Sequence, residues 1–493
     1  MTSSENRAAL GLILVAVIIG GCVPSRQGYF TRMARRRSEA YRRWRQQRRD
    51  DELPQLEGPL YLADAVRLAL RHNASLRAAL QQKESARGRR LEAHSEVLPS
   101  VDLSAEYTRL DKVFTVDLGV ESFQVGDQDN YSYRVDVVQP LFKGGSMVIA
   151  HRAARLFSYL TDETVRQAVE EVVFAVSQAY YQGVLARQQV EVQRAALKSA
   201  RAQLDSVEAR EEQGVATEFD VLRARVDVSN IQAELIDQKN RLDSARAELL
   251  RAMGVSQRSR VELATELEYD REDVPDFREA VRMAFENRPD IYTAAINYDL
   301  QQEAYRNAHT SYLPNLEAYF WNLWAKPDPH ESSNITWDTQ WQYGLRLRWS
   351  LFDGLAREGQ IIQERALMRE RGIELADAEQ KALKEVRDAM SGLESARELV
   401  ESQKLNLRRA DRALALVEAG YQEGVNTELE VLDARSALTR ARGLYYTALH
   451  RHTMARIHLQ RAVGVLGPRP GSREVPEEAP EIGSIQSTRE GAP

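Results

Sequence analysis

Apolar and polar positions alternate with period two along short stretches of this chain and recur every three to four residues along much longer ones. Val101, Leu103, Ala105 and Tyr107 alternate with Asp102, Ser104, Glu106 and Thr108, and Tyr131, Tyr133, Val135 and Val137 alternate with Ser132, Arg134 and Asp136. Tyr343, Leu345, Leu347, Trp349 and Leu351 alternate with Gly344, Arg346, Arg348 and Ser350, while residues 315–324 are aromatic-rich and alternate less cleanly. The pattern predicts strands at about 100–110, 130–140, 315–324 and 341–351, each with one apolar and one polar face. Strands of about nine residues match the span of a membrane β-strand. Two readings stay open: a sheet between lipid and a wet lumen, or a soluble antiparallel sheet with one wet face. Four strands do not close a barrel, for which about eight is the practical minimum, so a membrane sheet implies oligomerisation.

From Gly145 to Gln213, and from about Gly354 to Glu423, the chain has no proline. As continuous helix each stretch would be roughly 105 Å long, deeper than any globular core. Within the second, Ala382, Val386, Ala389, Leu393, Ala396, Val400, Leu407, Ala410, Leu414 and Val417 keep a four-three spacing broken at Gln403, which is a coiled-coil seam. Shorter stretches repeat it: Ala224, Val228, Ile231, Leu235, Leu242, Ala245 and Leu249 in one, and Ala434, Leu438, Ala441, Tyr445, Ala448, Ala455 and Leu459 in the other. Gly214 and Gly424 sit where a glycine ends a helix, followed by the capping sequences Thr217-Glu218-Phe219-Asp220 and Thr427-Glu428-Leu429-Glu430. Helical hairpins are therefore expected at about 145–253 and 354–463.

These elements come twice. Asp64-Ala65-Val66 matches Glu279-Ala280-Val281 and Leu98-Pro99 matches Leu313-Pro314, both at an offset of 215. At an offset of 210, Leu141-Phe142-Lys143-Gly144 matches Leu351-Phe352-Asp353-Gly354, Gly214-Val215-Ala216-Thr217-Glu218 matches Gly424-Val425-Asn426-Thr427-Glu428, and Arg251-Ala252-Met253-Gly254-Val255 matches Arg461-Ala462-Val463-Gly464-Val465. A duplicated half follows, with repeats at 60–255 and 276–465 joined by 256–275. The offset changes between Pro99 and Leu141, where a surface loop would absorb the difference.

The termini change the picture more than the composition does. Of 493 residues, 67 are Lys or Arg and 73 Asp or Glu, a net charge of −6 that argues against a dedicated nucleic-acid binder. Arg7, the apolar run Ala8–Ile19 and Gly20-Gly21-Cys22 read as an export signal over 1–21 with a lipoprotein-type processing site, and Cys22 is the expected lipidation residue. Cys22 is the single cysteine, so disulfide, zinc and cysteine-nucleophile chemistry lack raw material. Residues 22–59 hold an arginine-rich stretch with Tyr29, Phe30, Tyr41 and Trp44, suited either to anionic headgroups at the membrane surface or to a solvated linker. Residues 466–493, rich in Pro, Glu, Gly and Ser, are expected to be a disordered tail.

Taken together, Pro140–Gly145, its degraded copy Ser350–Gly354, the two Leu-Pro pairs and the turn Ala419–Thr427 leading into Val431–Ala434 resemble the TolC-type outer membrane efflux proteins, over about residues 60–465. The resemblance implies a mainly α fold with a membrane β-barrel contribution. Three chains would share a twelve-stranded barrel that continues as an α-helical barrel across the periplasm, with 256–275 in an equatorial region. It implies an exit duct in the outer membrane of a Gram-negative-type bacterium, lipid-anchored and reaching into the periplasm. The duct would work with a periplasmic adaptor protein and an inner-membrane pump of a tripartite efflux or type I secretion system. The implied aperture residues are Asp220, Tyr421, Asn426, Glu430 and Asp433; Asn426 stands where the family has a basic partner, which leaves a weaker polar latch. Three copies would place nine carboxylates around a narrow mouth, a cation-selective constriction. Acidic residues in a first helical turn also serve as caps, so Glu430 reads first as a cap and Asp433 as the better gate residue. Adaptor docking is expected at the exposed turns: Gly214, Val215, Ala216 and Thr217, and Gly424, Val425 and Thr427.

No enzyme, cofactor or metal site is expected. His450, His452 and His458 lack metal-binding helical spacing, and no phosphate-binding glycine loop or Gly-x-Ser-x-Gly occurs. The alternative is a non-porous coiled-coil periplasmic lipoprotein, a tether or adaptor, which explains the helices and Cys22 but not four paired strands. Arg134, Arg346 and Arg348 on the strands fit either a positive outer mouth or simple solvation of a rim.

Overall fold

The computed structural model describes residues 33–39, 42, 53–117, 122–269, 274–331 and 334–467. The expected signal segment, Cys22, most of the arginine-rich stretch and the tail from residue 468 lie outside the described residues. Two compact units are distinguished, one of 1–58 with 255–261, the other of 59–254 with 262–493. In the first, residues 33–39 are helical, and the backbone of Ser256 and Arg260 donates to Pro54 and Leu56 carbonyls at 3.2 and 2.8 Å.

Along the chain the described elements are β1 (Glu57–Leu60), α1 (Leu62–His72), α2 (Ala74–Ser95), β2 (Ser100–Arg109), β3 (Phe114–Asp117), β4 (Ser122–Val125) and β5 (Asp129–Lys143). They continue with α3 (Ser146–Glu212), α4 (Glu218–Met253), β6 (Arg260–Leu263), α5 (Phe277–Asn287) and α6 (Pro289–Thr310). The chain then forms β7 (Asn315–Lys326), β8 (Asp338–Arg348), α7 (Ala356–Gln422) and α8 (Glu428–Ala462). The second unit carries the duplication in its dimensions: α3 and α7 both have 67 residues, α4 has 36 and α8 has 35.

The strands β2, β5, β7 and β8 form one antiparallel sheet in that order, so the two halves meet at β5–β7. The alternation puts Val101, Val137, Phe320 and Tyr343 in one cross-strand row, the side-chain ladder that stabilises a sheet. Nothing among the described residues covers this apolar face: Leu103 is 74% exposed and Tyr343 72%. Rings gather at both ends of the strands. Tyr133 stacks on Trp337 at 5.6 Å at the far end, with the Trp341–Tyr343 stack at 5.9 Å running from there toward the middle of β8, while Trp349, Phe352 and Tyr312 are exposed at the end nearer the helices. Two aromatic girdles around an apolar band are the pattern of a membrane sheet. On the polar face Arg134 forks onto Asp136 at 2.8 Å and Arg346 reaches Glu317 at 2.8 Å, so neither guanidinium stands as free positive charge.

Two features depart from the alternation. The loop between β2 and β5 folds its extra length into the β3–β4 hairpin, which is where the repeat offset changes. In addition β8 ends at Arg348, although Trp349 and Leu351 continue the alternation. The cause is chemical. Arg357 donates to the carbonyls of Ser350 and Leu351 at 3.0 and 3.2 Å, and the Trp349 indole donates to the Tyr312 carbonyl at 3.0 Å, so these groups leave the ladder.

The helices pack by the seam residues. Ala186, Val190 and Leu197 of α3 meet Leu235 and Leu242 of α4, with Val228, Ile231 and Ala245 beside them. Val386 and Leu393 of α7 meet Leu459 and Ala462 of α8 and Ala280 and Ala284 of α5. The short helices are tied to the ends of the hairpins by a contact made twice with different residues. Asn73, the cap of α2, donates to the Ala252 carbonyl at 2.7 Å, and Arg288, before α6, donates to the Ala462 carbonyl at 3.2 Å.

At each of those junctions a left-handed glycine lies against backbone. A Cβ on Gly254 (φ +71) would sit 2.4 Å from the His72 oxygen, and one on Gly464 (φ +73) 2.8 Å from the Arg288 nitrogen. Gly214 (φ +73) and Gly424 (φ +76) have open space around them. Gly214→Ala and Gly424→Ala are therefore expected to cost about 1–2 kcal/mol each, the left-handed penalty alone. Gly254→Ala and Gly464→Ala should lower the thermal midpoint distinctly further, because backbone has to move. Equal losses at all four positions would contradict the close approach.

Candidate functional site

The two interhelical turns are built alike. Both α3 and α7 run for roughly 100 Å, which sets the turns far from the sheet. Each helix ends with the six-to-one bond of a glycine-closed terminus: the Val215 amide donates to the Arg210 carbonyl and the Val425 amide to the Gly420 carbonyl, both at 2.8 Å. The turn carries its apolar residue outward, with Val215 74% and Val425 80% exposed.

Both following helices open with a complete capping box. The Asp220 carboxylate accepts from the Thr217 amide at 3.0 Å and its hydroxyl at 2.7 Å. Glu430 accepts from the Thr427 amide at 2.7 Å and from Asn426 Nδ2 at 3.2 Å. These bonds hold both carboxyls below their usual range: the Thr217 hydroxyl and then its amide for Asp220, the Thr427 amide and then the Asn426 side chain for Glu430. Asn426 lies over Gly420, where a Cβ would meet its Oδ1 at 1.9 Å. Asp220, Asn426 and Glu430 thus spend their side chains inside their own turns. Asp433, one turn further along α8, is exposed and makes no hydrogen bond or ion pair within the described residues.

Tyr421 behaves differently, because it joins the hairpins. Its ring lies 4.5 Å from the Arg210 guanidinium of α3. Burial, and then a hydrogen bond to Glu428, push its hydroxyl pKa up. Glu428 in turn accepts from Gln203 of α3 at 2.7 Å, and Gln203 is buried. Arg435 of α8 reaches the Ser199 carbonyl at 3.3 Å. Aromatic, cationic and amide side chains from three helices thereby lock the second hairpin to the first.

The sequence reading passed over two residue pairs here. Arg225 bridges to Glu208 across the first hairpin at 2.7 Å, and Arg435 bridges to Glu418 across the second at 2.9 Å. Both partners are related by the offset of 210, so the repeat itself was the signal. A second group was also missed: Asp328, His330 and Asp338, between β7 and β8, bring a ring nitrogen and two carboxylate oxygens within 4.8 Å of one another. Histidine spacing along helices does not reveal it, because two of the three lie in a loop and the third opens β8.

The chain matches the family described as outer membrane efflux protein over residues 65–255 and 280–465. The alkaline protease secretion protein AprF of Pseudomonas aeruginosa is 25% identical over 414 residues, which cover 83% of this chain and 85% of that protein. The outer membrane protein TolC of Salmonella enteritidis is 24% identical over 430 residues, 84% of this chain and 83% of that one. Among solved structures, the CmeC outer membrane channel of Campylobacter jejuni aligns with a TM-score of 0.73 at 15% identity, over 85% of this chain and 89% of that chain. That last likeness is one of fold.

If the Gln203–Glu428 contact holds the hairpins together, Gln203→Ala should raise amide exchange around residues 200–213 and 421–431. Asp220→Asn should fray only the first turn of α4. Exchange unchanged by Gln203→Ala would show that the hairpins are held elsewhere.

Proposed function

The chain belongs to the outer membrane efflux protein family and is an exit duct of the outer membrane, and we propose that it works as a homotrimer gated at its helical turns by a docking adaptor. The observation that carries the trimer is the four-stranded sheet, whose apolar face is bare and whose outer strands β2 and β8 each lack a neighbour on one side. Two copies would reach only the practical minimum of about eight strands; three, giving twelve, is the number that the family resemblance implies.

The helices support assembly with further copies. Burial along α3 continues as far as Val207, whereas along α7 no residue beyond Val400 is buried. The difference lies in the flank: α3 has α4 on one side and α8 on the other. The repeat makes α7 the equivalent of α3 and α4 the equivalent of α8. On α4, Phe219, Leu222, Val226 and Ile236 are exposed apolar residues, and on α7 so are Leu405 and Leu416. A second copy that laid its α4 against this α7 would cover both sets.

The duct conducts passively, and energy comes from an inner-membrane pump through the adaptor. The relatives support this, one being a protease secretion protein and the other an outer membrane protein. The exposed Val215 and Val425 offer the adaptor equivalent apolar points in both turns. Opening loosens the Tyr421–Arg210 and Gln203–Glu428 contacts that join the hairpins, a shift between two packings of the helices. Asp433 is the gate carboxylate, since Asp220 and Glu430 are held in capping boxes. Acylation of Cys22 after removal of 1–21 would add a lipid anchor. A tether without a pore fits less well, having no use for a two-girdled sheet.

Reconstituted in planar bilayers, the full-length protein should form a cation-preferring channel. Asp433→Ala should reduce that preference and relieve block by polyvalent cations, with a smaller effect from Glu430→Ala. Absence of any channel would overturn the duct, and selectivity indifferent to Asp433 would remove it from the gate.

A further inference from the structure

The loop at the far end of the β7–β8 hairpin is more ordered by its own bonds than a passive connection requires. Within it the Asp328 amide donates to the Asn334 carbonyl at 3.0 Å and the Asn334 amide to the Glu331 carbonyl at 2.8 Å. Where the loop returns to β8, Trp337 lies on Tyr133 of β5 and beside Tyr131 at 6.1 Å, which fixes the start of β8 against the sheet.

Three donor side chains converge in this frame. Oδ1 of Asp328 accepts from the His330 and Glu331 amides at 2.8 and 3.3 Å, and Oδ1 of Asp338 accepts from the Thr339 amide at 2.7 Å, so both carboxylates are aimed. His330 Nδ1 stands 3.7 Å from Asp328 Oδ1 and 3.9 Å from Asp338 Oδ2. Those separations are too long for direct hydrogen bonds. They suit two donors sharing one metal: ligands about 2.0–2.2 Å from a common ion lie roughly 3–4 Å apart.

The charge balance gives an independent pointer to a cation. Asp328 is only 8% exposed, and a buried carboxylate is ordinarily paired or bound to metal. No lysine or arginine pairs with it or with Asp338 among the described residues; the ion-pair partner of each is His330. One imidazole and two carboxylates are the donor set of a first-row divalent ion. His330 and Asp338 are about half exposed, which leaves an approach from solvent and room for water in the remaining positions.

We propose that Asp328, His330 and Asp338 form a Zn2+-class divalent cation site that staples the β7–β8 loop to the rim of the sheet. The site is separate from the helical turns and does not depend on how the duct is gated.

The test uses the full-length protein in detergent after removal of adventitious metal by a chelator. Zn2+ added in equilibrium dialysis should saturate one site per chain that is lost in His330→Ala and Asp338→Asn, with affinity weakened on the order of 100-fold or more. Co2+ substituted at the site should give visible absorption bands in the wild type that are absent in either variant. Amide exchange across residues 326–338 should slow on adding Zn2+ to the wild type alone. Equal Zn2+ stoichiometry and affinity in wild type and both variants would overturn the site, and so would exchange across the loop that Zn2+ leaves unchanged at constant pH.

Discussion

A strand at the edge of a sheet presents a row of unpaired amide and carbonyl groups, and in hydrocarbon each such group costs several kcal/mol. The sheet of this chain has two such edges, β2 and β8, and an apolar face with aromatic girdles that suits lipid and no protein surface of its own. Within one chain the constraint has no solution, because four strands are too few to curl onto themselves. Repetition supplies one. Each half contributes two strands, the halves meet at β5–β7, and further copies joined β8 to β2 would continue the same antiparallel order until the ring closes.

The helices inherit this geometry. A strand pair leads into each long helix, so the spacing between β2–β5 and β7–β8 also spaces α3 and α7. Each hairpin is closed by small contacts repeated between the halves: the Arg225–Glu208 and Arg435–Glu418 bridges along the hairpins, and Asn73 or Arg288 at their bases. At the turns the symmetry breaks. Tyr421, Glu428 and Arg435 of the second hairpin reach α3, while the corresponding residues of the first hairpin reach no third helix among the described residues. The second hairpin is thus joined to the first on one flank, while beyond Val400 no residue of α7 is buried.

Much of this was legible in the sequence, for definite reasons. Period-two alternation marks a strand whose faces see different solvents, and the duplicated Gly-Val-x-Thr-Glu turns mark helix ends because few other residues tolerate the backbone of Gly214 and Gly424. The alternation overran at Trp349 and Leu351, since it records side-chain polarity and not whether the Ser350 and Leu351 carbonyls are taken by Arg357. Asp220 belongs both to a capping sequence and to the implied aperture; its bonds to Thr217 show a short carboxylate closing a capping box as Glu430 does. Asp328, His330 and Asp338 stayed hidden because a loop follows no period, and only the folded backbone brings ligands ten residues apart to one point.

In the proposed trimer α7 finds on a second copy what α3 finds on α8. Gln189 of α3 donates to the Gly443 carbonyl of α8 at 3.1 Å, and the repeat offset maps that contact onto Leu399 of α7 and Ala233 of α4 in the adjacent copy. The direct measurement is oxidative cross-linking in outer membranes of a chain carrying Leu399→Cys and Ala233→Cys together. The account predicts covalent dimers and trimers that vanish on reduction and are missing when either substitution stands alone. A doubly substituted chain that stays monomeric on denaturing gels, although inserted and folded, would contradict it.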